Sequence, residues 1–244
     1  MTVARILEGE PGGILLICDH ASNAVPSGID LGVAPALLDK HIGVDIGAAP
    51  LTEALAETLG APAILATVSR LVIDLHRQPD HPGLIPTLSD GHAIPGNEGV
   101  DRFERIAFLY GPYHRAIEAR IRAIRPTLLV SIHSFTPQLE TAVGPMRPWE
   151  IGILSNRDRR AADLALPLLA AQGLVVGDNE PYSGRVLNAT LNRHGEARGI
   201  ASIAIEIRND LIADGEGVWR WNDILAPILS DIRNRLAPEG LLAT

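Results

Sequence analysis

Short apolar runs alternate with amphipathic stretches along the chain, and this alternation predicts the secondary structure. Continuous apolar runs such as Ile14–Cys18 are typical of strands buried on both faces of a largely parallel sheet. We predict strands at 14–18, 63–68, 71–75, 127–132, 151–154, 174–176 and 201–207. Apolar residues at helical spacing predict helices at 47–59, 101–125, 159–171 and 217–236.

Strands that alternate with helices indicate an α/β fold: one domain over residues 1–244, with a mixed, mostly parallel sheet and helices on both faces. No repeat, low-complexity tract or strong internal linker interrupts it. Residues 78–99 contain four prolines and several glycines and asparagines, and therefore predict a long surface loop. Loops of this length in compact domains are often functional.

Composition narrows the classes of function. The chain has 244 residues and a formal net charge of −8, which argues against a general nucleic-acid surface. Its one cysteine, Cys18, excludes an internal disulfide and any Cys-x-x-Cys site. No apolar run approaches 18 residues and the first residues lack a signal-like stretch, so we expect a cytoplasmic protein without a membrane partner.

Polar residues follow four of the predicted strands, at the point where each strand ends. In open α/β sheets, ligands bind beyond the carboxyl ends of the strands, so these side chains are expected to meet at one edge. They are Asp19, His20 and Asn23 after the first run, His76 and Arg77 after residue 75, His133 and Ser134, and Glu206 with Arg208.

Two strand-end histidines, His20 and His133, form a candidate zinc pair, because catalytic zinc usually takes three protein ligands and leaves one position for water. Asp45 and Asn23 are candidates for the third ligand, and His41 is also nearby in sequence. Glu206, near the end of a buried strand, is a candidate general base. Each residue also has a structural interpretation: single histidines after strands are often structural, and Asp45 suits a helix N-terminus.

Arginine placement suggests an anionic substrate. Arg70 and Arg77 bracket residues 71–75, and a guanidinium binds a carboxylate through two parallel hydrogen bonds. The alternative is that they are ordinary surface ion-pair residues. Other reaction classes lack their motifs, since the chain contains no G-x-S-x-G, G-x-G-x-x-G, Walker or H-E-x-x-H sequence.

Seven segments, in order over about 190 residues, resemble the N-formylglutamate amidohydrolase family. They are CDHASNAVP, HIGVDIGA, SRLVIDLHR, SIHSF, PYSGR, TLNRHG and IAIEIRNDL. The family is related to zinc carboxypeptidases and aspartoacylase-like deacylases. The resemblance therefore implies a zinc-carboxypeptidase-like (phosphorylase/hydrolase-like) sheet with Zn²⁺ at the strand ends, and a role in histidine degradation.

The resemblance also assigns roles to residues. It implies that His20 and His133 are metal ligands, that Glu206 is the catalytic carboxylate and that Arg77 grips the substrate carboxylate. His76 stands where the wider group has asparagine. Asn23 stands where that group has a ligand glutamate, and this departure favours Asp45 as third ligand. Arg70, Asn23 and Arg208 complete the expected substrate-binding set.

We therefore predict zinc-dependent hydrolysis of a small N-acylated acidic amino acid, most simply N-formyl-L-glutamate to formate and glutamate. Two alternatives stay open. One keeps the chemistry and changes the substrate, to an N-acetyl-amino-acid or a cell-wall peptide. The other is a non-catalytic, anion-binding α/β protein. The sequence also leaves open a homo-oligomer and whether residues 78–99 cover the substrate.

Overall fold

One seven-stranded sheet organises the protein in the computed structural model, which describes residues 2–11 and 13–237. The remainder of the predicted domain 1–244 lies outside these ranges. The strands of the sheet lie in the order β1-β3-β2-β6-β9-β7-β8. Their bounds are β1 Ala4–Leu7, β2 Ile14–Cys18, β3 Ala63–Ala66, β6 Leu128–Phe135, β7 Ile151–Leu154, β8 Val176–Asp178 and β9 Ala201–Arg208.

The centre of the sheet is parallel and its flanks are mixed. Strands β3, β2, β6 and β9 run in the same direction, whereas β1 pairs antiparallel with β3 and β7 pairs antiparallel with β9. Strand β8 then runs parallel to β7. The mixed, mostly parallel sheet predicted from the sequence is confirmed. Because β2, β6 and β9 run in parallel, their carboxyl ends reach one edge together.

Helices cover both faces of this sheet and divide the interior into two apolar cores. On one face α1, α4 and α6 pack against the central strands, with Trp221 fully buried among them. On the other face α3 and the segment from Val68 to Tyr110 contribute to the second core, which contains the fully buried Tyr113. The helices are α1 Ala48–Leu59, α2 Arg102–Arg105, α3 Gly111–Ile124, α4 Arg160–Ala170, α5 Ala189–His194 and α6 Gly215–Leu236.

The predicted helix at 101–125 is divided into three helical segments. Between α2 and α3, residues Ile106–Tyr110 form a single π-helical segment. Pro112 follows at the start of α3 and has no N–H to donate to a carbonyl of the preceding turn, which is consistent with the widened turn there. Periodicity alone does not reveal this change, because the apolar face continues through all three segments.

The predicted strand at 71–75 is wrong. These residues are fully buried, but they form turns beneath α3, and the buried side chain of Arg105 donates to the carbonyl oxygen of Val72. The sequence also missed the edge strand β1 and the short helix α5. Residues 78–99 are irregular as expected, but they contain a small hairpin of β4 Leu88–Ser89 and β5 His92–Ala93.

Helix α1 begins at a position that requires glycine. Gly47 caps the helix with φ of +78°, and a Cβ atom there would overlap the carbonyl oxygen of Ile212. Asp45 lies two residues before this cap, and its backbone N–H donates to the carbonyl oxygen of His20. The tight start of α1 therefore fixes Asp45 beside the carboxyl end of β2. No helix in the described ranges is long and apolar enough to cross a membrane.

Candidate functional site

A cavity of about 110 Å³, here called the inner chamber, opens where β2, β6 and β9 end. Strand pairing places His133 of β6 directly opposite Glu206 of β9. The chamber is lined by His20, His41, Asp45, Arg70, Asp74, His76, Arg77, His133, Ser134, Phe135, Thr136, Tyr182, Leu187 and Glu206. Six of the eight predicted site residues are therefore brought together at one sheet edge.

Three buried side chains in this chamber converge on one point. The Nδ1 atoms of His20 and His133 lie 3.2 and 2.9 Å from the same oxygen of Asp45, Oδ2. Their donor atoms all lie within 4.8 Å of one another, a spacing that can hold a metal ion. Two imidazoles and a carboxylate are a usual ligand set for catalytic zinc.

The far nitrogen of each histidine is also held. Nε2 of His20 lies 2.7 Å from Oδ1 of Asp74, and Nε2 of His133 lies 2.9 Å from the Ser131 hydroxyl. Such partners fix the ring orientation and the tautomer of metal-binding histidines, and leave the other nitrogen for the metal. The arrangement thus fits a metal at the Nδ1 side of both rings.

Carboxylates around the two rings favour the charged imidazolium when no cation is present. Burial and Arg70 oppose the charge on His20, but Asp74 and Asp45 raise its pKa. Burial likewise opposes the charge on His133, yet hydrogen bonds to Asp19 and Asp45 raise its pKa to about 10. The pKa of Asp45 is lowered despite burial, because His20 and Arg70 stabilise the carboxylate. The cluster is built to surround positive charge, which a metal ion would supply.

Glu206 behaves differently from the other buried carboxylates of the chamber. Burial raises its pKa to about 7, partly offset by the charge of His133. No hydrogen bond to its side chain is found among the described residues, whereas Asp45 and Asp74 each accept several. A carboxylate with a pKa near neutrality can both accept and return a proton.

The two arginines of the chamber have different partners. Arg70 donates through Nη1 to Asp45 at 2.8 Å and through Nη2 to Asp74 at 3.1 Å, so both of its terminal nitrogens are engaged. Arg77 donates only through Nε, to Asp74 at 3.3 Å. Within the described residues its terminal nitrogens have no partner. Arg77 has one carboxylate partner and Arg70 has two, so Arg77 is the better placed to receive a further carboxylate, and Arg70 supports Asp45.

Beneath the chamber lies a fully buried carboxylate, Asp19. It accepts hydrogen bonds from Tyr113 of α3 at 2.9 Å and Thr190 of α5 at 3.1 Å, and its other oxygen lies 2.8 Å from Nδ1 of His76. Despite burial, hydrogen bonds from His133 and His76 keep the pKa of Asp19 well below its usual range. Asp19 thus anchors the floor of the chamber and ties two helices to it.

Two predicted site residues lie elsewhere. Asn23 is exposed and donates to Asp39 at 2.7 Å, and Arg208 pairs with Asp210 at 2.8 Å. Neither lines the chamber. A turn at Asp19 and His20 follows β2 and precedes Asn23, and Arg208 is the last residue of β9, two residues beyond Glu206. Conversely, no role was predicted for Tyr182, which belongs to the segment PYSGR and lines the chamber.

A second cavity, here called the outer chamber, continues from the first and measures about 550 Å³. The hairpin β4–β5, the preceding residues and the loop around Leu139 form its far walls. Asp90 holds these segments together, because it accepts from the backbone N–H groups of Glu140 and Thr141 and pairs with His41 at 3.0 Å. Residues 78–99 therefore border the cleft.

Comparison with models of protein families identifies the family of this chain. The model of the FGase family, described as N-formylglutamate amidohydrolase, matches residues 12–213. The chain belongs to this family. The match includes every residue of the inner chamber, so the family assignment and the geometry concern the same part of the molecule. The resemblance seen in the sequence is confirmed, and the family supports hydrolysis of an amide.

Solved structures of similar proteins support the family assignment. A gene product from Agrobacterium tumefaciens is 32% identical, with 97% of this chain and 96% of that chain covered and a TM-score of 0.89. An N-formylglutamate amidohydrolase from Ralstonia eutropha JMP134 is 21% identical, with 97% and 98% covered and a TM-score of 0.74. The Ralstonia eutropha protein therefore has the same fold as this chain. A search of curated proteins found no match.

Proposed function

We propose that this family member is a zinc-dependent amidohydrolase that removes a short acyl group from the amino group of an amino acid. The simplest substrate is N-formyl-L-glutamate, and the products are formate and glutamate. The observation that carries the proposal is the convergence of His20, Asp45 and His133 on one point, in the chamber that also contains Glu206. The family supports the reaction class. A cytoplasmic location stays a prediction from the sequence.

His20, Asp45 and His133 would hold the zinc ion, because their donor atoms are close enough and their far sides are fixed. When bound, zinc lowers the pKa of water and polarises a carbonyl oxygen. Arg70 supports the ligand Asp45 by donating to its second oxygen, Oδ1. That contact leaves Oδ2 available on the side of the two histidines.

Glu206 moves the proton in this proposal. Its carboxylate accepts a proton from the attacking water, whose oxygen forms a bond with the acyl carbon. The same carboxyl group then gives the proton to the amine nitrogen as the carbon–nitrogen bond breaks, so that one water is consumed for each amide. A pKa near neutrality suits both steps. Arg77 holds the substrate carboxylate through its terminal nitrogens, which have no partner within the described residues, and places the amide beside Glu206.

The test joins metal content to formate release. We expect the purified protein to bind about one zinc per chain and to release formate from N-formyl-L-glutamate, and His20→Ala to lose both together. Asn23→Ala is the matched control, since Asn23 is near in sequence but lies outside the chamber. Full activity in a metal-free preparation would contradict the mechanism.

A further inference from the structure

The inner and outer chambers form one cleft with a shared boundary. His41, Arg70, Asp74, Arg77 and Tyr182 line both cavities. The chambers differ fivefold in volume, about 110 Å³ against about 550 Å³. A substrate whose carboxylate is bound by Arg77 at this boundary therefore extends in two directions, into a small space and into a large one.

The small space suits the acyl group. The three converging donors and Glu206 lie in the inner chamber, so the reacting carbonyl belongs there. The other walls of this chamber include Phe135, Thr136 and Leu187. Little volume remains beyond the carbonyl for a long acyl chain. The amine side of the substrate, which carries the carboxylate, then points past Arg77 toward the outer chamber.

Few charged side chains line the outer chamber. Beyond the five shared residues, Asp90 is the one charged side chain among the described residues that line it. The rest of the lining is uncharged and includes apolar Ile42, Leu71, Pro86, Leu88 and Leu139 together with polar Ser89 and Thr141. Nearby Lys40 and His92 are both paired with Glu140 and do not line the cavity. Burial lowers the pKa of His41, which favours the neutral ring.

Cations at the boundary are also limited. Arg70 is already ion-paired with both Asp45 and Asp74, whereas Arg77 is paired with Asp74 alone, so among the described residues of the cleft Arg77 keeps the most positive charge for a substrate. One guanidinium binds one carboxylate through two parallel hydrogen bonds. A substrate with two free carboxylates would place the second in the outer chamber, where the described lining adds Asp90 but no cation to the two arginines. This second charge would therefore lack a cation of its own, which is unfavourable.

We propose, building on the proposed function, that the preferred substrate has one free carboxylate, which Arg77 binds, and an uncharged, partly apolar extension that fills the outer chamber. Its chemical class is a short-acyl glutamate whose side-chain carboxyl is masked as an amide. N-formyl-L-glutamate is then the minimal substrate, and the amine side determines specificity.

The test compares N-formyl-L-glutamate with its γ-butylamide, which has one carboxylate and a four-carbon extension. We expect the zinc-loaded protein to show a kcat/KM roughly tenfold or more higher for the γ-butylamide, the scale of discrimination by apolar groups in a pocket. Leu88→Arg adds a cation to the outer chamber at an exposed hairpin position and should reduce or reverse this preference. Val143→Arg adds the same charge at an exposed position outside the chamber and should leave the ratio unchanged.

Binding measurements separate this inference from the proposed function. Dissociation constants of both compounds for zinc-loaded Glu206→Gln, with and without Leu88→Arg, report the preference without turnover. Absence of turnover of both compounds by the unaltered, zinc-loaded protein would contradict the proposed function, while tighter binding of the γ-butylamide would still support the inference. Equal or tighter binding of N-formyl-L-glutamate would overturn the inference, as would an equal effect of Val143→Arg.

Discussion

At the scale of single residues, the site contains buried carboxyl groups whose pKa values are shifted in opposite directions. Asp45 and Asp74 are surrounded by His20 and Arg70, which keep their pKa values low against the effect of burial. Glu206 is equally enclosed but lacks a hydrogen-bond partner within the described residues, and burial raises its pKa to about 7. Neighbouring charges thus distinguish the carboxylates with lowered pKa values from Glu206, the residue proposed to exchange protons.

Glu206→Gln tests this division. Because the amide keeps the shape of the side chain but accepts no proton, we expect kcat to fall roughly 10²- to 10⁴-fold, the usual contribution of general acid–base catalysis. Zinc content should stay at the unaltered level, since Glu206 is outside the converging group. Steady-state kinetics and metal analysis measure both, with exposed Glu57→Gln as control. Retained activity would remove Glu206 from the mechanism.

Substitution of Arg77 should weaken substrate binding, whereas substitution of Arg70 should weaken zinc binding. Arg77→Ala removes the guanidinium proposed to bind the substrate carboxylate, and we expect kcat/KM to fall roughly 10- to 100-fold, mainly through KM, with zinc affinity unchanged. Arg70→Ala removes the partner of Asp45 and should weaken zinc binding instead, by roughly 10- to 100-fold. Substrate titrations and competition with a chelator distinguish the two. The same defect in both variants would contradict the separate roles.

Sequence reasoning could predict which principal residues come together in the candidate site, but not their hydrogen-bond partners. His20, His133 and Glu206 come at or near strand ends, and parallel strands bring their ends together. The contacts that orient them join distant positions: 54 residues separate His20 from Asp74, and 57 separate Asp19 from His76. Asn23 resembled a ligand by its spacing from His20, but spacing does not show that the chain turns it outward.

At the scale of elements, apolar runs locate buried segments more reliably than they identify their geometry. The runs at β2, β6, β7 and β9 are strands as predicted, whereas 71–75 is equally apolar and forms buried turns. The turns suit the site, because they deliver Asp74, His76 and Arg77 within four residues. Hydrophobic periodicity indicates which residues are buried. An apolar run of five residues is compatible with a strand and with a buried turn alike.

The start of α1 offers a test of how an element positions a ligand. Gly47→Ala places a Cβ against the Ile212 carbonyl at a positive φ, and we expect it to destabilise the fold by about 2 kcal/mol or more and to weaken zinc binding through Asp45. Gly60→Ala is the matched control, since its φ is +60° but nothing lies near the added atom. It should cost about 1 kcal/mol and leave zinc affinity unchanged. Urea unfolding and zinc titration measure both.

A buried histidine pair joins α3 to α5. His114 donates from Nε2 to the carbonyl oxygen of Leu75, so its Nδ1 accepts from Nε2 of His194 at 2.9 Å, and both rings are neutral. Burial, reinforced by the neighbouring His114, lowers the pKa of His194 from 6.5 to about 3. The contribution of the neutral His194 ring to the free energy of unfolding is complete above pH 6.5. It is lost as the pH falls toward 3, because the unfolded chain then binds a proton that the folded protein does not.

His194→Gln isolates this contribution. The amide can still donate to His114 but does not titrate, so the stability advantage of the unaltered protein should shrink as the pH is lowered from 7 to 4.5. The expected change approaches about 1.4 kcal/mol per pH unit below pH 6. Urea unfolding at several pH values measures the difference between the two proteins. A difference that is constant with pH would show that His194 does not titrate on unfolding.

At the scale of the whole molecule, we expect the apolar cores to hold the fold together without the proposed zinc ion. Two apolar cores cover the faces of the sheet, and the converging donors lie at one edge. We expect a chelator to abolish activity and to leave the secondary structure intact by circular dichroism. Loss of a ligand present at 100 times its dissociation constant costs about 2.7 kcal/mol, which should lower Tm by roughly 5–10 °C. Unfolding on zinc removal would contradict this expectation.

The cleft is divided between two kinds of structure, and this division has an evolutionary consequence. Strand ends supply most of the groups proposed for the chemistry, whereas surface loops and the small hairpin supply the far walls of the outer chamber. Loops accept insertions and substitutions at low cost to stability. Descendants of an ancestral enzyme could therefore acquire new substrates by exchanging residues 88–91 and 139–141 while inheriting the same hydrolytic machinery.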